Sequence, residues 1–157
     1  MIEGYASLFG MTDQGGDAVA PGAFGASLAR LAAKGDKVRM LWQHDPAQPI
    51  GIWEEIREDG RGLWVRGRLL PEVAQAREAA ALIAAGAIDG LSIGYRTLRA
   101  ERDAQGRRVL AELELWEVSL VTFPMLREAK VGRKSGDLDA AEDLAAVLRA
   151  ASAALRG

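Results

Sequence analysis

The sequence predicts an α+β fold in which helices surround an antiparallel, barrel-like β-sheet. Several segments alternate apolar and polar residues with the period of two that is typical of half-buried strands. Polar or glycine-containing turns separate these segments, and two or three others have the pattern of helices. With 157 residues, of which 49% are hydrophobic and 27% charged, the chain is long enough for one domain with a sizeable core.

The chain is predicted to begin with a strand, a loop and a helix. Residues 2–8 form a short mixed segment typical of a strand, and residues 11–19, which are rich in Gly and Asp, favour a loop. Pro21 and Gly22 open a helical pattern that ends before Gly35, a residue suited to the position just past a helix end. The residues that share the apolar face of this helix are Phe24, Leu28 and Leu31.

Three strands are predicted next. Residues 38–42 form an apolar run that is typical of a buried strand, and the residues from His44 onward end it. Residues 50–56 and 63–69 both alternate with a period of two, and the polar turn at 58–60 lies between them. The last two segments therefore predict a hairpin.

The following part of the chain is predicted to contain a second helix and two long strands. Residues 71–85 supply good helix formers, and Gly86 terminates the pattern. Strand-like segments return over residues 88–98 and 108–123, joined by a polar turn at 103–106.

The end of the chain is predicted to be separate from this domain. We expect the domain to span residues 1–131, a linker to span 132–136 and an amphipathic helix to span 137–157. The apolar face of that helix consists of Leu144, Leu148, Ala151 and Leu155. Packing on the chain's own domain is the expected use of this face, and an oligomer contact or a docking tether are the alternatives.

The composition excludes several classes of protein. The absence of cysteine excludes a disulfide scaffold, a thiol nucleophile and a cysteine zinc site, and one histidine cannot build a typical zinc site. A net charge of -2 gives no electrostatic footprint for nucleic acid or an anionic membrane. No apolar run is long enough to span a bilayer, and the start lacks a signal-peptide pattern. We therefore expect a soluble, cytoplasmic protein without a cofactor.

His44 and Ser92 are the first candidates for a catalytic site. His44 is the only histidine, and it follows a buried strand directly, a common location for catalytic groups. The alternative is an ordinary surface histidine at a turn. Ser92 stands between Gly90 and Gly94, which let the backbone approach a substrate closely. A strand rather than a helix follows it, which excludes the nucleophile elbow of α/β-hydrolases and leaves a serine at a packing point as the alternative.

Glu117 is the third candidate, because it interrupts an apolar strand face. The other residues of that face are Val109, Ala111, Leu113, Leu115, Ser119 and Val121. A buried carboxylate is costly unless it is paired, and a histidine N–H is a suitable partner. The alternatives are a glutamate that faces water at the sheet edge and a salt bridge to an arginine.

These three residues fit one reaction, the cleavage of a peptide bond. Ser92 would attack the carbonyl, His44 would take the proton of the hydroxyl, and Glu117 would orient and stabilise the imidazolium. The oxyanion also needs donors. The backbone at Ile93 or Gly94, or an arginine, would supply them.

Seven short stretches of the sequence, taken together in their order, are highly specific for one protein family. They are residues 4–7, 17–24, 40–45, 49–51, 62–63, 90–95 and 117–124. In this order they resemble the phage prohead protease family, whose fold is similar to that of herpesvirus capsid-assembly proteases. The resemblance covers roughly the first 131 residues and implies catalytic residues at His44 and Ser92. In herpesvirus relatives a second histidine occupies the position that Glu117 matches. Because this chain has no second histidine, we expect an acidic third member, with Glu117 preferred to Asp45, which is adjacent to the base.

The resemblance also implies where and on what the protein acts. Members of the family work inside an assembling procapsid, which here would belong to a phage or a phage-like particle such as a gene-transfer agent. The implied substrates are scaffolding protein, the scaffolding segment of the major capsid protein, and the protease itself. Herpesvirus relatives are dimers, which implies a homodimer. The alternatives are a catalytically silent capsid-assembly protein that keeps the fold and an esterase that uses the same serine.

Overall fold

Seven strands and two helices make up residues 1–132, the part of the chain that the computed structural model describes. The strands are β1 (Ile2–Leu8), β2 (Asp17–Val19), β3 (Arg39–Trp42), β4 (Asp45–Glu58), β5 (Gly62–Leu69), β6 (Gly90–Arg102) and β7 (Arg108–Val121). The helices are α1 (Gly25–Lys34), which packs against β7, and α2 (Ala74–Ala84), which packs against β4 and β5. The sheet curls into a half-barrel, so the predicted α+β class is confirmed. Apart from Gly132, the predicted linker and C-terminal helix lie outside the described residues.

The sheet is mixed, whereas the sequence predicted an antiparallel one. Its order is β1-β5-β4-β3-β7-β2, and β6 pairs with the other edge of β7. β7 is parallel to β2 and β3 but antiparallel to β6. The prediction was wrong on this point because the alternation of apolar residues reports which side of a strand is buried and not the direction of its neighbour.

Residues 17–19, predicted as the end of a loop, form the short strand β2. They pair with residues 108–110 at the start of β7, and Ala18 and Val19 are buried there. The polar residues before Ala18 favour a loop locally, but pairing with a distant strand prevails over that preference.

Both helices end where glycine predicts an end. Gly35 has a left-handed backbone (φ 70°), and its N–H bonds to the carbonyls of the last helical turn of α1. Helix α2 begins at Ala74 rather than at Pro71, because residues 71–73 form a turn in which the N–H of Val73 bonds to the carbonyl of Leu70.

A segment beyond the last strand joins the two sides of the sheet. The carbonyl of Ala129 accepts the N–H of Leu91 at 2.9 Å, and the N–H of Val131 donates to the carbonyl of Asp89 at 2.9 Å. On its other side, Val131 pairs with Gly4 of β1. Residues 129–131 therefore connect β1 to the start of β6, beside Ser92.

The core is densest around β7. The largest fully buried side chains are Phe24, Met40, Ile50, Leu63, Trp64, Val65, Leu91, Leu110, Leu113, Leu115, Val118 and Leu120. Five of these twelve belong to β7, which has neighbouring strands along both edges. The strand that carries Glu117 is thus paired along both edges and anchored in the core by five of its side chains.

Candidate active site

His44 lies in a two-residue turn between β3 and β4. Trp42 and Asp45 pair across the turn, and both Gln43 (φ 52°) and His44 (φ 62°) have a left-handed backbone. Positive φ at both central residues is the geometry of a type I′ hairpin turn. The sequence predicted a longer connection, up to Ile50, because Gln and His rarely occupy such a turn.

Hydrogen bonds to the end of β7 hold this turn in place. The N–H of Gln43 donates to the carbonyl of Leu120 at 2.9 Å. Its side-chain amide donates to the Thr122 hydroxyl at 2.7 Å and accepts the Thr122 N–H at 3.1 Å. The N–H of His44 donates to the hydroxyl of Ser119 at 3.1 Å. A left-handed conformation is unfavourable for residues other than glycine and persists where the surroundings impose it, as these four bonds do.

Glu117 is buried, with 8% of its surface exposed, and both of its carboxylate oxygens have partners. Oε1 forms a short hydrogen bond with Nδ1 of His44, and Oε2 accepts the hydroxyl of Ser119 at 2.5 Å. A carboxylate accepts and does not donate, so Nδ1 carries the hydrogen and Nε2 of the neutral ring is left as the basic nitrogen. The carboxylate thus bonds to the histidine, and the two alternatives, an arginine partner and exposure to water, are not what the structure shows.

Gly94 lies directly opposite Glu117 on β6. A Cβ at Gly94 would stand 2.2 Å from Oε1 and 2.7 Å from Cδ of Glu117, so an added side chain would require the carboxylate to move. The absence of a side chain at Gly94 therefore makes room for the carboxylate. Its predicted part in stabilising an oxyanion, together with that of Ile93, stays a prediction.

Ser92 lies two rungs from this pair, opposite Ser119. Partners across an antiparallel ladder point to the same face, as do residues two apart in one strand, so Ser92, Ser119 and Glu117 share a face. Ser92 is 4% exposed, and within residues 1–132 its hydroxyl has no hydrogen-bond partner, His44 included.

Two hollows flank these residues. A cleft of about 590 Å³ is lined by Arg39, Leu41, His44, Pro46, Ile93, Gly94, Tyr95, Trp116 and Glu117. Trp116 is 54% exposed and occupies a bulge in β7, where the register with β6 shifts. A second hollow of about 30 Å³, room for a water molecule, lies beside Ser92 and is bordered by Leu8, Met11 and Met125. Apolar walls next to a few polar groups are typical of a binding site.

The electrostatic setting of His44 follows from its partner. The hydrogen bond to Glu117 raises the pKa of His44 above the ordinary value, against partial burial, which lowers it, and the negative charge of Glu117 adds to the rise. The carboxylate thus favours the protonated ring, which is the form that a general base takes after it has accepted a proton.

The sequence did not single out three of the residues that build this site: Ser119, Gln43 and Thr122. For Ser119 a signal was available, because it stands two residues after Glu117 and therefore shares the face of that carboxylate. The pairing of Gln43 with Thr122 joins positions 79 residues apart and left no local signal.

Two further features bear on the chemistry. Among residues 1–132, no cluster of three or more His, Cys, Asp or Glu side chains is arranged to hold a metal ion. Neither helix in this part of the chain has the length and apolar character needed to cross a membrane.

Known proteins that are similar to this chain agree on one family. The family model described as caudovirus prohead serine protease matches residues 1–143. The prohead protease of Enterobacteria phage HK97 is 35% identical over 134 residues, which cover 83% of this chain and 58% of that protein. The structure of the bacteriophage T4 capsid assembly protease is similar with a TM-score of 0.58 and 18% identity, covering 76% of this chain and 79% of that one. At that identity the likeness shows the fold alone, and the chain spans less than two thirds of the length of its HK97 relative.

Proposed function

Because the chain belongs to the caudovirus prohead serine protease family, we propose that it is a serine endopeptidase that acts in procapsid maturation. The observation that carries the proposal is the bond between His44 and the buried Glu117, on the sheet face to which Ser92 also belongs. A histidine oriented by a carboxylate is the pair that activates a serine in acyl transfer.

The three residues have distinct parts in the proposed reaction. The Ser92 hydroxyl attacks the scissile carbonyl while Nε2 of His44 accepts its proton, and Glu117 holds the ring through Nδ1. The imidazolium then gives the proton to the leaving amine, which releases one product and leaves an acyl-enzyme. Water, activated by the same nitrogen, hydrolyses the ester and restores Ser92. Backbone N–H groups at Ile93 and Gly94 are the proposed donors to the oxyanion.

The free hydroxyl of Ser92 is consistent with this scheme. It has no competing partner within the described residues. Ser92 borders the small hollow, and its neighbour Ile93 lines both that hollow and the cleft that contains His44. Bonds between nucleophile and base are often long before the substrate is bound and form in the substrate complex. The proposal therefore requires the Ser92–His44 hydrogen bond in the complex with substrate.

The proposed substrates are proteins of the capsid. They are scaffolding protein, or the scaffolding segment of the major capsid protein, and the protease itself, processed inside an assembling procapsid. The apolar walls of the cleft suit an extended polypeptide, and the net charge of -2 supports a protein substrate over nucleic acid. A homodimer is the proposed assembly, to be tested by sedimentation.

A labelling and processing experiment tests the proposal. A serine-directed fluorophosphonate probe should label the wild-type protein at Ser92, and Ser92→Ala should abolish both labelling and cleavage of a co-expressed capsid protein. Ser27→Ala is the matched control, because Ser27 is also buried, on α1, and among the described residues its hydroxyl bonds only to the N–H of Leu115. Unchanged processing by Ser92→Ala would exclude the proposed function. A lack of labelling and of cleavage in the wild-type protein would favour a silent assembly protein.

A further inference from the structure

We propose that Ser119 is a positioning residue of the active site proposed above: its one buried hydroxyl fixes the Glu117 carboxylate and the His44 turn together. Ser119 is 0% exposed and lies between the two residues. Its oxygen accepts the backbone N–H of His44 at 3.1 Å, and its hydrogen is donated to Oε2 of Glu117 at 2.5 Å.

The direction of both bonds follows from the chemistry of the groups. A backbone N–H can only donate and an ionised carboxylate can only accept, whereas a hydroxyl has one hydrogen to give and lone pairs to accept. The hydrogen of Ser119 must therefore point to Glu117, and the N–H of His44 occupies a lone pair. Because this hydrogen is committed and the side chain has no access to solvent, Ser119 is not a second nucleophile.

The bond to Glu117 sets the orientation of the carboxylate. The terminal torsion of a glutamate is broad, so the carboxylate would otherwise rotate readily. With Oε2 held by Ser119 and Gly94 directly opposite on β6, Oε1 is left facing Nδ1 of His44.

The bond to His44 sets the position of the imidazole's own backbone. The Gln43–His44 turn has a left-handed conformation at both residues, which needs support from its surroundings. The hydroxyl of Ser119 ties the second residue of this turn to β7, two positions from Glu117. The Ser119 hydroxyl therefore bonds both the carboxylate of Glu117 and the backbone of His44, which couples the position of the acid to that of the base.

The single histidine of the chain makes this arrangement measurable without a substrate. In the wild-type protein, we expect a strongly downfield NMR signal from the Nδ1–H of His44, protected from exchange by the short bond to Glu117. Ser119→Ala should broaden this signal or move it upfield. Ser27→Ala removes a comparable hydroxyl that bonds to a backbone N–H of the same strand, and it should leave the signal unchanged.

Kinetic measurements with an uncleaved capsid protein as substrate complete the test. We expect Ser119→Ala to lower kcat by roughly 10- to 100-fold with little change in KM, because misplacement of the base affects the chemical step more than binding. If circular dichroism shows that Ser119→Ala is unfolded, Ser119→Cys replaces it in the test. Cysteine is similar in size and is a weaker donor, so the same losses should appear but be smaller.

The outcomes separate this proposal from the function on which it rests. A folded Ser119→Ala protein with the wild-type Nδ1–H signal would overturn the positioning of His44 by Ser119, whatever the activity. A lost signal with an unchanged kcat would overturn its importance for catalysis. If the wild-type protein cleaved nothing, the proposed function would fail, while the NMR comparison would still test the arrangement of Ser119, Glu117 and His44.

Discussion

Two glutamates of β7, Glu114 and Glu117, share one face of the strand because the bulge at Trp116 lies between them. Both pair with a cationic or basic side chain, but their surroundings differ. Glu114 accepts a hydrogen bond from Arg96 of the neighbouring strand at 2.7 Å, and much of each side chain is in contact with solvent. Glu117 is buried, and its two oxygens are bound by His44 and Ser119.

The difference in burial decides whether such a pair only contributes to stability or also orients a histidine. The exposed pair competes with water and salt, and such pairs contribute about 0–1 kcal/mol to stability. The buried carboxylate cannot exchange its partners for water, so it fixes the orientation of the imidazole and shifts its pKa. We therefore expect changes at Glu117 to alter the reaction and changes at Glu114 to leave it intact.

The largest effect is expected when Glu117, but not Glu114, is replaced by the neutral amide. Glu117→Gln should lower kcat/KM for capsid-protein cleavage by roughly 10²- to 10⁴-fold, because an amide no longer selects the Nδ1–H form of His44 or stabilises its cation. Glu114→Gln, the matched control, should stay within about twofold of the wild type, since it changes only an exposed pair. Equal losses in the two variants would contradict the assignment of Glu117.

A second test adds a side chain opposite the buried carboxylate. Gly94→Ala places a methyl carbon 2.2 Å from Oε1 of Glu117, so the carboxylate must move. We expect the variant to be less stable by about 1–3 kcal/mol and less active. Gly60→Ala is the control, because no atom lies within 4 Å of its added Cβ. Urea unfolding and a cleavage assay measure the two effects. A fully active Gly94→Ala protein would show that the carboxylate can occupy another position.

The stability and the activity of the protein should depend on pH in opposite directions because of the His44–Glu117 pair. Since the pKa of His44 is raised on folding, the pair stabilises the protein fully below the ordinary histidine pKa, and this stabilisation is lost as the pH rises through the folded value. Catalysis needs the neutral ring, so kcat/KM should rise over the same range while stability falls. Glu117→Gln should move the midpoint of His44 titration to lower pH, as followed by NMR. A midpoint that did not move would contradict the cause given for the raised pKa.

The smallest effect is expected where the exposed pair is removed. Arg96→Ala should change the free energy of unfolding by less than about 1 kcal/mol, and roughly 1 M salt should erase most of the difference, because salt screens exposed charges. Urea unfolding at low and high salt measures this. A larger effect that survived salt would mean that the exposed and buried pairs are more alike than their surroundings indicate.

The sequence predicted those features of the site that leave a local trace. Glu117 stood out because a carboxylate interrupted an apolar alternation, and His44 because a buried run ended beside it. The assignment of Glu117 to the face of Leu113 and Leu115 was wrong, because the bulge at Trp116 shifts the alternation and places Glu117 on the opposite face. The left-handed turn at His44 could not be predicted, since it depends on Gln43 meeting Thr122 across the fold.

The same limit explains the errors in the fold. The strand β2 and the parallel pairing of β3 with β7 arise from contacts between distant parts of the chain, which periodicity does not encode. Both helices and the β4–β5 hairpin were predicted, because caps, turn residues and alternation are local.

The strip formed by residues 129–131 limits how far the C-terminal end can be trimmed. Its backbone bonds to Leu91, immediately before Ser92, and to Gly4 of the first strand. A cut before Ala129 would detach this strip and leave the edge beside Ser92 unpaired, whereas a cut beyond Gly132 would spare it. If the proposed self-cleavage fell before Ala129, it would therefore remove these bonds, whereas cleavage beyond Gly132 would leave them in place.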